Sequence, residues 1–224
     1  MNELFLPALG IGFVVGFRHA FEPDHLAAVT TLATRERGLS QSAKLGLAWG
    51  VGHTASVALV ATALIILGIR VPEQFYHIAE LGVATLLIVL GIGSLIAESR
   101  RHRRSLGNEH GEAHAHHHPH AHPETIRSAT RALGFGVAHG LAGSGAVVVL
   151  LVAASTRLQE QISYLVAFGV GTIAGMSLVS IITGVAASAA AQRHKRAGQW
   201  IRVGAACVSV VIGVMLGAEV VSAM

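Results

Sequence analysis

From Gly16 to Leu26 the chain reads Gly-Phe-Arg-His-Ala-Phe-Glu-Pro-Asp-His-Leu, which sets Arg18, His19, Glu22, Asp24 and His25 inside an otherwise apolar stretch. Neutral imidazole nitrogens and ionised carboxylate oxygens are donors that suit nickel, cobalt, zinc or iron, and the lack of a cysteine or methionine cluster argues against copper(I). A charge near the centre of a bilayer costs at least about 2.5 kcal/mol, so this many polar groups in one apolar segment call for a compensating role. Pairing of Arg18 with Glu22 or Asp24 would neutralise charge, but it explains neither histidine.

Pro23 removes a backbone donor and its ring clashes with the carbonyl four residues back, so a helix here is expected to kink or break near Phe21 and Glu22. On an unbroken helix Glu22 shares a face with His19 and His25, whereas Asp24 turns away. A break relaxes that restriction and lets side chains on its two sides converge. His53, in Gly52-His53-Thr54, and His139, in Ala138-His139-Gly140, are the next candidates. A lone histidine in a helix is usually a hydrogen-bonded packing residue. Depth argues for more: at a rise of about 1.5 Å per residue, His25, His53 and His139 each fall roughly 10 to 15 Å from the same end of their helices. That is one level, near the middle of a bilayer, with His19 about 9 Å further out on a straight helix. The candidate metal ligands are therefore His19, Glu22, Asp24, His25, His53 and His139.

A second group lies in a polar run that holds His110, His114, His116, His117, His118, His120 and His122. Such a tract has no apolar pattern to fold it and binds metal weakly and many times over. It lacks the fixed geometry that selectivity needs, so it is expected to act as an auxiliary, low-affinity metal surface. The plain alternative is a solvated spacer.

The elements that must position these residues follow from composition. Hydrophobic residues make up 52% of the 224 and charged residues 12%, which places the chain in the all-α integral membrane class. A bilayer core takes roughly 20 apolar residues per helical span, and stretches of that size run at 4–33, 43–69, 75–97, 132–155, 160–189 and 199–222, giving about six transmembrane helices. The start of the chain lacks the basic region of a cleavable signal, so the first span is expected to be retained. The single cysteine, Cys207, excludes an intrachain disulfide and a two-thiol redox centre. The pI near 10 reflects topology rather than nucleic acid: of the Lys and Arg outside the first span, only Arg70 and Arg157 avoid the loops after spans one, three and five or their edges. The positive-inside rule then puts those three loops in the cytoplasm and both termini outside.

Three segments result: a first three-helix repeat at 1–97, a histidine-rich cytoplasmic loop at 98–128 and a second three-helix repeat at 129–224. The repeat rests on matches at a shared offset of about 120 residues. His19 falls over His139, Trp49 over Phe168 within Ala-aromatic-Gly-Val-Gly, and Leu90-Gly91-Ile92-Gly93 over Ile212-Gly213-Val214-Met215. An odd number of spans per repeat inverts the second half, an architecture in which secondary transporters hold substrate at the repeat interface near the midplane. Gly46 and Gly50, Gly171 and Gly175, and Gly213 and Gly217 are each four apart, a spacing that lets helices approach closely.

At these residues the chain resembles the nickel/cobalt transporter family, within the lysine-exporter superfamily, and its shorter urease-accessory-type branch of nickel permeases. The resemblance rests on His19-x4-Asp24-His25 preceded by Arg18, on Gly52-His53-Thr54, and on the segment from His139 to Ala146. Many members carry Asp where Glu22 stands and Ala where Pro23 stands, and longer members have an extra helix at the start. The resemblance implies a multi-pass permease of the inner (plasma) membrane carrying Ni²⁺ or Co²⁺, uptake favoured over export, and not an enzyme. No prosthetic group is expected. The expected partners are the divalent ion, the lipid bilayer and cytoplasmic metallochaperones or nickel-enzyme maturation proteins. The competing readings are a membrane-embedded metalloenzyme with a permanent metal centre and a non-transporting metal-binding accessory protein.

Overall fold

The computed structural model describes residues 5–36, 38–67, 73–107, 123–143 and 157–224. These form helices α1 (Phe5–His19), α2 (Pro23–Ala33), α3 (Leu39–Leu67), α4 (Glu73–Gly107), α5 (Pro123–Gly143), α6 (Leu158–Arg193) and α7 (Lys195–Ala223), with no strand among the described residues. Helices α3, α4, α6 and α7 each hold a stretch long and apolar enough to cross a membrane. Large apolar side chains such as Val14, Leu59, Val89, Val166 and Val214 cover the outside of the bundle. That surface suits lipid rather than water, and helices meet the bilayer's demand that backbone groups be satisfied internally.

The first apolar stretch is two helices, as Pro23 requires. α1 stops at His19 and α2 begins at Pro23. Between them Phe21 N–H donates to the Arg18 carbonyl at 2.9 Å and Glu22 N–H to that of His19 at 3.1 Å, one tight turn. Glu22 is extended, φ −62° and ψ 146°, the conformation that the residue before a proline prefers. Pro23 then takes the start of α2, where its missing N–H leaves no bond unmade. After α2 the chain reverses at Gly38, whose φ of +96° lies where side-chain-bearing residues are strained. Gly38 N–H is met by Ser188 Oγ at 3.3 Å.

The helices pair across the middle of the chain: α1 against α6, α3 against α5 and α6, and α4 against α7. Glycine makes these approaches. A Cβ at Gly16 would overlap the Phe168 carbonyl, and one at Gly136 the Trp49 carbonyl. The same reciprocity joins Gly171 to the Phe13 carbonyl and Gly52 to that of Leu133, and Gly91 to Ala206 and Val210 as Gly213 is joined to Ala84 and Ile88. Side-chain hydroxyls add bonds between helices, Ser180 Oγ to the Ser42 carbonyl at 2.6 Å and Ser209 Oγ to that of Leu87 at 2.9 Å. The core is built around Trp49, Leu87, Met176, Val29 and Val83.

Helix α4 carries on through Glu98 to Gly107 and α5 begins at Pro123, so both ends of the polar stretch 98–128 are helical. Glu98 tolerates burial because Arg202 grips it twice, Nε to Oε2 at 2.9 Å and Nη2 to Oε1 at 2.6 Å, the bidentate arrangement that makes a charged pair strong. Arg35 donates to the Ser94 carbonyl at 2.7 Å beside it. The histidine tract from His110 to His122, and residues 144–155 of the expected fourth span, lie outside the described residues.

Gly136→Leu should therefore lower stability by at least about 3 kcal/mol, the upper end of overpacking penalties, because the obstacle is backbone that cannot rotate away. Gly134→Leu, whose Cβ meets open space, should be neutral. Thermal unfolding of the two purified variants in detergent distinguishes them, and equal midpoints would contradict the seam.

Candidate metal centre

The break in the first stretch, with α3 and α5, assembles one cluster. His19 ends α1, Asp24 and His25 open α2, His53 lies in α3 and His139 near the end of α5. Ring centroids of His19 and His25 are 4.3 Å apart, of His25 and His139 4.4 Å, of His25 and His53 5.0 Å, and of His19 and His53 5.4 Å. The straight-helix expectation of about 9 Å of rise between His19 and His25 fails because the turn at Ala20–Glu22 folds the two residues together. Exposure is 3% for His19, 2% for His25 and 0% for His53 and His139.

Asp24 joins two of the rings: Oδ1 lies 3.0 Å from His25 Nδ1 and Oδ2 3.0 Å from His139 Nε2. An ionised carboxylate can only accept, so each facing nitrogen carries the proton, and His25 Nε2 and His139 Nδ1 present lone pairs. Neither has a hydrogen-bond partner among the described residues, nor has either nitrogen of His53 or His19 Nε2. Buried polar groups are nearly always paired, and each left unmet costs about 1–3 kcal/mol. Several unmet nitrogens gathered in one place form a cluster that could hold a cation.

Two overlapping donor sets arise, His19 with His25 and His53, and Asp24 with His25 and His139, the donor atoms of each lying within 4.8 Å of one another. Ligands on opposite sides of an ion with bonds of about 2.1 Å stand about 4.2 Å apart, so a small contraction closes the set of His19, His25 and His53, whereas the Asp24 set closes only as the ring nitrogens facing Asp24 give up their protons. Glu22 lies at the rim, its side chain 43% exposed and Oε2 2.9 Å from His19 Nδ1. Arg18 is exposed and, among the described residues, makes no ion pair with Glu22 or Asp24. The alternative in which Arg18 merely neutralises these acids does not hold here: Glu22 and Asp24 lie against imidazoles.

Two aromatic walls flank the cluster. Trp49 sits 5.7 Å from the His139 ring and Phe168 5.4 Å from that of His19. Sequence reasoning aligned these two residues in the halves without assigning them to the site; the signal was their common position within Ala-aromatic-Gly-Val-Gly.

Residues 5–222 match the model of the family described as NicO, high-affinity nickel-transport protein. The chain is similar to the urease accessory protein UreH of Bacillus sp. (strain TB-90), at 30% identity over 198 residues, covering 88% of this chain and 85% of that one. It is also similar to the chloroplast protein FOR GROWTH AND FERTILITY 2 of Arabidopsis thaliana, at 26% identity over 208 residues, covering 92% of this chain and 54% of that one. No solved structure matches it.

His25 belongs to both donor sets, so His25→Ala should weaken Ni²⁺ binding to the purified protein by about 100-fold or more, the upper end of what even outer-sphere substitutions cost. Protons compete for imidazole lone pairs, so affinity should also fall steadily from about pH 8 to about pH 5.5. Calorimetric titration at several pH values reads both effects, and a pH-independent affinity would rule out imidazole ligation.

Proposed function

Because this membrane protein belongs to the NicO family of high-affinity nickel-transport proteins, we propose that it carries Ni²⁺, and Co²⁺ as a second substrate, into the cell through the buried cluster. The observation that carries this reading is the set of imidazole nitrogens at His19, His25, His53 and His139 that are buried without hydrogen-bond partners. His19, Asp24 and His25 are the primary ligands, with Glu22, His53 and His139 as additional or outer ligands. His25 is common to both donor sets, so the ion can exchange one set for the other without leaving it. Family membership decides against the membrane metalloenzyme.

The architecture proposed for transport is six spans in two inverted three-helix repeats, 1–97 and 129–224, with α1 and α2 together forming the first span. The reciprocal glycine contacts support it: Gly16 and Gly136 meet the carbonyls of residues that the repeat aligns, Phe168 and Trp49. The cluster then lies near the midplane. The basic residues at one end of the bundle face the cytoplasm and both termini lie outside, in the inner (plasma) membrane. The histidine-rich segment within 98–128 serves as a weak cytoplasmic metal surface from which a metallochaperone or nickel-enzyme maturation protein receives the ion. The name of the Bacillus relative, a urease accessory protein, favours that destination. It also sustains the second reading, a non-transporting accessory protein that binds nickel without moving it.

Uptake of radiolabelled nickel and cobalt by cells expressing the chain separates the two. Wild type should accumulate both ions, His19→Ala, Asp24→Ala and His25→Ala should abolish accumulation, and deletion of 108–122 should lower efficiency only. Equal accumulation by wild type and the three point variants would end the permease-site reading. Binding by the purified protein without accumulation would favour the accessory reading.

A further inference from the structure

The two seams that hold the cluster have corresponding parts with one exchange between them. In one, the Trp49 carbonyl packs on Gly136, three residues before His139, and the Trp49 ring lies against His139. In the other, the Phe168 carbonyl packs on Gly16, three residues before His19, and the Phe168 ring lies against His19. Four residues beyond Trp49 stands His53, a candidate ligand. Four residues beyond Phe168 stands Thr172, as fully buried as His53.

Thr172 does something His53 does not. Its Oγ1 lies 3.1 Å from the Gly16 carbonyl and 2.9 Å from the Phe168 carbonyl. The second contact is a common back-bond of a helical threonine; the first crosses to another helix at a particular place. α1 is about to end, and its last carbonyls are losing intrahelical donors: Ala20 N–H reaches the Gly16 carbonyl only at 3.4 Å. The hydroxyl's one proton, shared with the Phe168 carbonyl, supplements the weak donor that the end of the helix offers the Gly16 carbonyl, one turn before His19. Nothing of the kind is needed in the other seam, where the corresponding Gly136 is followed by a helix that continues through His139 to Gly143.

We infer that Thr172 is a positioning residue for His19: by bonding the Gly16 carbonyl it fixes the last turn of α1, and so the distance from His19 to His25 and His53. One half thus contributes an imidazole at this position and the other a clamp. The inference rests on the cluster being the metal site, and it makes Thr172 matter for metal only through His19.

The test is Ni²⁺ titration of the full-length protein purified in detergent, with Thr172→Val, Thr172→Ala and Thr172→Ser each made in the wild type and in a His19→Ala background. His25→Ala, which keeps the histidine tract, sets the background signal. Thr172→Val should weaken binding about ten-fold, the lower end of the range for groups that orient metal ligands, and Thr172→Ser should restore it. In the His19→Ala background neither Val nor Ala should cost anything further. Thr172→Ala imposes no steric demand and carries the cycle if the valine variant does not yield monodisperse protein. An equal loss in both backgrounds, no loss at all, or failure of Thr172→Ser to restore binding would overturn the assignment to Thr172 alone. Equal binding by wild type and His25→Ala would overturn the site itself, and this inference with it.

Discussion

An imidazole buried in a bundle whose outside faces lipid is costly unless its nitrogens are bonded, and the arrangement of this chain follows from that constraint. Asp24 meets it for two rings by accepting from His25 and His139, which leaves the far nitrogen of each ring with a bare lone pair. His53, buried with neither nitrogen bonded, is the costliest member. In the proposed reading a divalent cation meets all of these at once, since it takes deprotonated nitrogen and oxygen donors.

Bringing five side chains from four helices to one point requires two departures from plain helical geometry. The first is the break at Ala20–Glu22, which turns His19 and Asp24 toward a common centre when a straight helix would separate them in height and in direction. The second is the set of close backbone approaches at Gly16, Gly52, Gly136 and Gly171, which brings α1 and α5 near enough to α6 and α3 for short side chains to touch. A larger residue at any of these positions would push apart the walls that hold the cluster. In the proposed reading the close approaches at the seams set the number and spacing of donors on which ion choice depends.

Much of this is legible in the sequence. Pro23 announced the break, the glycines four apart announced tight packing, and depth arithmetic placed His25, His53 and His139 together because helical rise is a fixed quantity. His19 was placed too far out by the same arithmetic, since rise along a helix cannot anticipate the path of a turn. Glu98 read as the start of a loop because an isolated carboxylate does not enter an apolar environment; its partner, Arg202, is 104 residues away, and no local pattern links them. Arg18 invited pairing with its neighbours, but it points outward while the acids turn to imidazoles. Thr172 carried no signal by itself. Only the repeat, which sets it opposite His53, could have marked it.

The central claim is that one ion is held by the buried imidazoles gathered around His25. Nickel K-edge X-ray absorption of protein lacking residues 108–122, loaded with less than one equivalent of Ni²⁺, measures that directly, since the tract can no longer contribute ligands. The expected spectrum shows multiple-scattering features of at least about three imidazoles at metal–nitrogen distances of about 2.0–2.1 Å, together with carboxylate oxygen. A shell of oxygen ligands alone, or a spectrum unchanged by His25→Ala, would contradict it.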